Sequence, residues 1–193
     1  FVSISRASLE NLHAWVDVPA GLTGFGDARL WVGFHQGQAT EATADLALQD
    51  ARAQLGDALP ELALTRLSGR IGLRRSASET ILTGQSVSLE AADGVRIAPT
   101  DLRLGRQGEG AGQVTRFEVN QLDLAALSAL AAHLPFEAAM RERLASVAPT
   151  GHFRDVVLQW TGEAAAPAAW QVAADFDGVG LQSPTREDWP GLA

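Results

Sequence analysis

Residues 28–50 read ARLWVGFHQGQATEATADLALQD, and the period of this stretch decides the fold. Leu30, Val32 and Phe34 fall on one side of a two-residue alternation; Ala42, Ala44, Leu46 and Leu48 do the same after the HQGQ segment at 35–38. Side chains alternate across a strand, so two such runs joined by a short polar turn read as a hairpin with one apolar face. Outward from it the same period recurs at 62–73, 79–91, 94–104 and 113–124, separated by RRSAS, ADG and RQGEGAG. Close, regular spacing of this kind predicts an antiparallel meander. The period lengthens at 8–18, where Leu9, Leu12, Trp15 and Val16 suit a short amphipathic helix capped by Ser8. It lengthens again at 123–133 and 136–147, which read as a helical hairpin hinged at Leu134 and Pro135. Strand period returns in HFRDVVLQW, with Phe153 out of phase with Val156, Leu158 and Trp160, and in WQVAADF, where Trp170, Val172, Ala174 and Phe176 share a face. The expected fold is mainly β: a long, curved, groove-like antiparallel sheet with a short N-terminal helix and an inserted helical hairpin. Residues 1–193 read as one unit, with no internal shift of composition.

Composition narrows the function. Of 193 residues 46% are hydrophobic and 20% charged, the make-up of a folded chain. Fifteen Lys and Arg against 23 Asp and Glu leave a net charge of -8, which opposes binding to a nucleic-acid backbone. Absence of cysteine removes disulfides, thiol nucleophiles and thiolate metal sites together. No stretch approaches the roughly 20 apolar residues of a membrane-spanning helix. The chain's two ends, Phe1 and the WPGL segment, suggest a piece of something larger.

Catalytic chemistry finds little support. His13, His35, His133 and His152 are scattered, without a metal-binding spacing. The carboxylate pairs Asp45 and Asp50, Asp175 and Asp177, and Glu187 and Asp188 are the kind any acidic chain contains. Ser5, Ser68, Ser86 and Ser128 lack a GxSxG setting, and Gly24 and Gly26 do not complete a GxGxxG motif. No catalytic, cofactor or metal residue is assigned, and the chain is expected not to be an enzyme.

The strand faces are more informative. Apolar side chains occupy mainly one side, while Thr43, Asp45, Ser88, Glu90, Arg103 and Glu118 occupy the other. A one-sided sheet covers its apolar face with helices, with itself or with a ligand. If curved, that face lines a groove suited to an aliphatic ligand; packed under the helices, the same residues are core. Trp160 and Trp170 are expected in the core, whereas Trp31, out of phase with Leu30 and Val32, faces the other side and would suit a partner contact.

The order of segments resembles a known family. GDARLWVGF, the run from ADLALQD through LALTRLSGRIGLRR, LDLAALSALAAHLP, VAPTGHFRDVVLQWTG, and WQVAADFDGVGLQS with WPGL are similar to the AsmA-like, YhdP-type family of bacterial envelope proteins. The resemblance implies an inner-membrane-anchored periplasmic protein with a long curved β-groove, implicated in moving phospholipid between the inner and outer membranes. The chain would then be one section of a larger repetitive β-structure, with phospholipid or another acyl lipid and neighbouring repeats of the same chain as partners. It also implies turn roles for Gly69, Gly151 and Pro190 with Gly191. The groove-facing candidates are Leu46, Leu48, Leu62, Leu64, Val87, Leu89, Leu102, Leu104, Val156 and Leu158. The alternative is a structural or protein-interaction β module of the envelope without a lipid site; a polysaccharide hydrolase ranks third.

Overall fold

The computed structural model describes residues 2–8, 21–56, 58–134, 138–163 and 167–180. They form one antiparallel nine-stranded sheet whose strands lie side by side in chain order. The strands are β1 Val2–Ser8, β2 Gly21–His35, β3 Gln38–Gln54, β4 Leu62–Arg75, β5 Glu79–Ala91, β6 Arg96–Gln107, β7 Val114–Asp123, β8 Thr150–Thr161 and β9 Ala169–Gly180. Between β7 and β8 stand α1 Leu124–Leu130, a 3-10 turn at Ala131–His133, and α2 Ala138–Val147. The mainly β fold with its inserted helices is as expected. The N-terminal helix expected at 8–18 lies outside the described residues apart from Ser8, which closes β1. Pro135 and Phe136 lie outside them as well.

Turn chemistry sets the meander. Gln36 and Gly37, at φ 51° and 80°, make the two-residue loop that matches the twist of β2 and β3. Ser76 Oγ accepts from the Glu79 amide at 3.1 Å, and Asp93 Oδ1 accepts from the Val95 amide at 3.1 Å, closing the β4–β5 and β5–β6 turns. Asp123 caps α1 by accepting the Ala126 amide at 3.0 Å, and Ser128 Oγ donates to the Leu144 carbonyl at 2.8 Å, which ties α1 to α2. α2 contains no buried residue, and Met140 is 51% exposed, so the apolar face expected on this helix is only partly covered.

Register corrects the strand phase. Phe153 pairs with Phe176 and Leu158 with Val172, so Phe153 shares the face of Leu158 and Trp160 instead of opposing it. The reason is a bulge: the pairing shifts between Arg154 and Val157, and Asp155 sits at φ 48°. One extra residue in a strand inverts the alternation beyond it. Asp50 in β3 and Ser86 in β5 take the same left-handed conformation at further register shifts. Bulges bend strands and increase local twist, and this row of them fits a curved sheet.

The apolar face is covered at one end. Leu130 of α1, 2% exposed, packs with Leu48, Ala51, Ala53, Leu62, Leu64 and Ala91, each 7% exposed or less. Leu46, Leu67, Leu89, Val95, Ile97 and Leu134 border this cluster.

Candidate functional site

Beyond α1 the same face continues as cross-strand rungs. One rung runs Val32, Ala42, Leu73, Leu82, Leu104, Phe117, Leu158 and Val172, each residue paired with the next on the adjoining strand. The next runs Leu30, Ala44, Ile71, Gly84, Leu102, Val119 and Val156. Directly paired residues lie on one face, so these are continuous apolar stripes perpendicular to the strands. From Val32 to Leu158 the first rung is half-buried, and Val172 at its end is 53% exposed. In the second, Val119 and Val156 are buried at 4% and 7% while Leu30, Ile71 and Leu102 are half-buried.

The groove candidates therefore separate into sets. Leu48, Leu62 and Leu64 belong to the cluster under α1. Leu46 and Leu89 lie at its border, half-buried, and Val87 is half-buried in β5. Leu102, Leu104 and Leu158 lie in the half-open rungs, and Val156 is buried at the β8 end. The sequence reading missed Ile71, Leu73, Leu82 and Phe117: register shifts put Ile71 and Leu73 out of phase with Leu62 and Leu64, and Leu82 out of phase with Val87 and Leu89, whereas alternation alone would have found Phe117.

The tryptophans part company. Trp160 is half-buried, but Trp170 is 67% exposed and so is not in the core; it stands on the last strand of the described sheet, where no neighbour covers it among the described residues. Trp31 is half-buried on the polar face, with the Arg70 guanidinium 5.8 Å from its ring centre. Two turn assignments also fail. Gly69 lies inside β4 at φ 139°, where an added Cβ would come within 2.7 Å of Val87 Cα, and Gly151 lies inside β8 against Gly178. Close strand approach explains both glycines. Pro190 and Gly191 lie outside the described residues.

The opposite face is held by charge pairs. Arg70 binds Asp45 through Nε to Oδ1 at 2.5 Å and Nη2 to Oδ2 at 2.9 Å. Arg116 meets Glu118 at 2.8 Å, Arg103 meets it at 3.9 Å, and Arg154 meets Asp177 at 3.2 Å. The Arg70 hydrogen bonds hold the Asp45 carboxyl below the usual carboxylate range, outweighing its partial desolvation. A cavity of about 420 Å³ opens where β6 and β7 part beyond Leu102 and Val119. Within its lining Arg96 lies 2.7 Å from Glu90, and His152 Nε2 lies 3.6 Å from Asp123 Oδ2.

Several of the residues weighed for catalysis have other partners. Asp45 and Asp177 are engaged with arginine, Ser68 Oγ meets Ser88 Oγ at 2.9 Å, and His133 Nδ1 faces the Pro60 carbonyl at 3.2 Å. His13, Glu187 and Asp188 lie outside the described residues. Among the described residues no group of three or more His, Cys, Asp and Glu is placed to hold a metal ion, and no helix is long and apolar enough to cross a membrane.

Comparison with curated proteins and with solved structures finds no match. The family model described as YhdP protein matches residues 1–193, the whole chain, and the chain belongs to this AsmA-like family.

Proposed function

We propose that the chain is a section of a periplasmic, inner-membrane-anchored bridge that guides phospholipid acyl chains along an apolar groove between the two membranes. The observation that carries this reading is the rung from Val32 to Val172, apolar on every strand it crosses and half-open throughout its centre. Acyl chains laid on it gain about 0.8 kcal/mol for each CH₂ removed from water. Because adjoining strands offer nearly equivalent contacts, no single position traps the chain, and movement across the strands has low barriers. Family membership supports the envelope location and the lipid class. Leu46, Val87, Leu89, Leu102, Leu104, Val156 and Leu158 are assigned to the strip or its borders, with Leu48, Leu62 and Leu64 anchoring the covered end. The chain's neighbours are further repeats of the same parent protein, and the exposed Trp170, Val172 and Phe176 on β9 are suited to their contact.

Native mass spectrometry of the purified chain, followed by lipid extraction, tests the reading. Phospholipid adducts are expected. Lipid-free protein that takes up no added phospholipid overturns the reading in favour of a structural β module.

A further inference from the structure

The rung nearest the β4–β5 turn breaks the apolar run. Arg75 pairs with Thr80, Thr80 with Arg106, Arg106 with Thr115, Thr115 with Trp160, and Trp160 with Trp170. Direct pairing puts all of them on the apolar face, one step from Leu73, Leu82 and Leu104. Both arginines are exposed. On the polar face, Arg70, Arg74, Arg103 and Arg116 each meet a carboxylate. The Arg75 and Arg106 side chains have no ion-pair or hydrogen-bond partner among the described residues, and neither their rung nor the next contains an Asp or Glu.

Cations without local acids, beside an apolar strip, complement an anion carried on hydrocarbon. Neighbouring strands lie about 4.8 Å apart, so the Arg75 and Arg106 Cα atoms stand about 10 Å apart across Thr80, a span that two arginine side chains can close. Each guanidinium is a planar fork suited to phosphate oxygens. Donors arriving from both sides of the Thr80 hydroxyl match a tetrahedral phosphate, whereas a carboxylate presents its two oxygens in one plane to one fork.

We propose that Arg75, Thr80 and Arg106 form a phosphate-binding rim at the edge of the apolar strip, taking the headgroup phosphate of a lipid whose acyl chains lie on the Leu73, Leu82 and Leu104 rung. This rests on the acyl-lipid reading above and adds the headgroup chemistry to it.

Trp160 and Trp170 share the rung, so tryptophan emission reports occupancy. The chain is titrated with dihexanoyl phosphatidylglycerol and with dihexanoylglycerol, which carries the same acyl chains without the phosphate. The phosphate lipid is expected to bind about tenfold or more tightly. The double variant Arg75→Gln/Arg106→Gln loses that preference, still binds dihexanoylglycerol, and keeps the wild-type melting profile by circular dichroism. Arg103→Gln on the opposite face keeps the preference. Equal affinities in the wild type, or a preference that survives in the double variant, overturn the rim while leaving the acyl strip standing. Binding of neither lipid overturns the strip and the rim together. Inorganic phosphate or decanoate binding as tightly as the phosphate lipid also overturns the rim: the first assigns the site to free phosphate, the second to anions in general.

Discussion

Asp45 and Arg70 face each other across β3 and β4 as a two-pronged ion pair on the polar side of the sheet. The guanidinium stabilises the ionised carboxyl, so the folded-state titration lies below that of the unfolded chain. With a depressed folded value, the pair's contribution is present above the ordinary carboxylate value of about 4 and is lost as pH falls through the folded value. Carboxyl-resolved NMR is expected to find Asp45 titrating below the ordinary range in the wild type and within it in Arg70→Gln; the same midpoint in both would refute the pairing. Leu64 illustrates the other face. At 3% exposed beneath α1 it has no room to relax, and Leu64→Ala should cost about 2–5 kcal/mol in urea unfolding. A loss under 1 kcal/mol would mean that the helix does not seal this end. Its half-open neighbours on the strip contribute less because solvent already reaches them.

The strands show what could be read from alternation and what could not. Leu30 with Val32, Ala42 through Leu48, and Leu102 with Leu104 take the expected face because no bulge falls within any of these runs. Phe153 was assigned to the wrong side because nothing in HFRDVVLQW marks Asp155 as an extra residue: aspartate tolerates the left-handed region yet is equally common in regular loops. β1 escaped notice because Ser8 and the apolar spacing after it read as a helix start, a stretch outside the described residues beyond Ser8. Trp170 was placed in the core from its phase alone, which gives the face but not whether anything covers it. The bulge is testable as an element. Asp155→Gly keeps the conformation and is expected to leave stability within about 0.5 kcal/mol, whereas Asp155→Val forces a branched side chain into the left-handed region at about 1–2 kcal/mol. Thermal melts in which Asp155→Val equals Asp155→Gly would show that position 155 is not held in the left-handed region.

At the scale of the whole molecule the sheet has two unlike faces and two unlike ends. Charge pairs fasten the polar face strand to strand, Arg70 to Asp45, Arg103 to Glu118 and Arg154 to Asp177, and α1 seals one end of the apolar face, which leaves the rungs beyond it without a described cover. The covered and open parts therefore separate stability from ligand contact, and a pair of substitutions distinguishes them. Leu104→Asp puts a carboxylate in the middle of the half-open rung, where water reaches it in the lipid-free protein, so folding is perturbed little. An acyl chain laid across that rung would have to desolvate the new charge, a cost of at least a few kcal/mol. Co-purified lipid is expected to fall about tenfold or more while the melting temperature shifts by only a few degrees. Leu64→Ala should do the reverse, lowering the melting temperature and leaving the lipid bound per folded molecule unchanged. The readouts are lipid stoichiometry by extraction and melting by circular dichroism on the same preparations. If both variants lose lipid in proportion to their loss of stability, the strip is core like the rest of the face and the lipid-guiding reading fails; opposite effects place the acyl chain on the rungs that α1 leaves open.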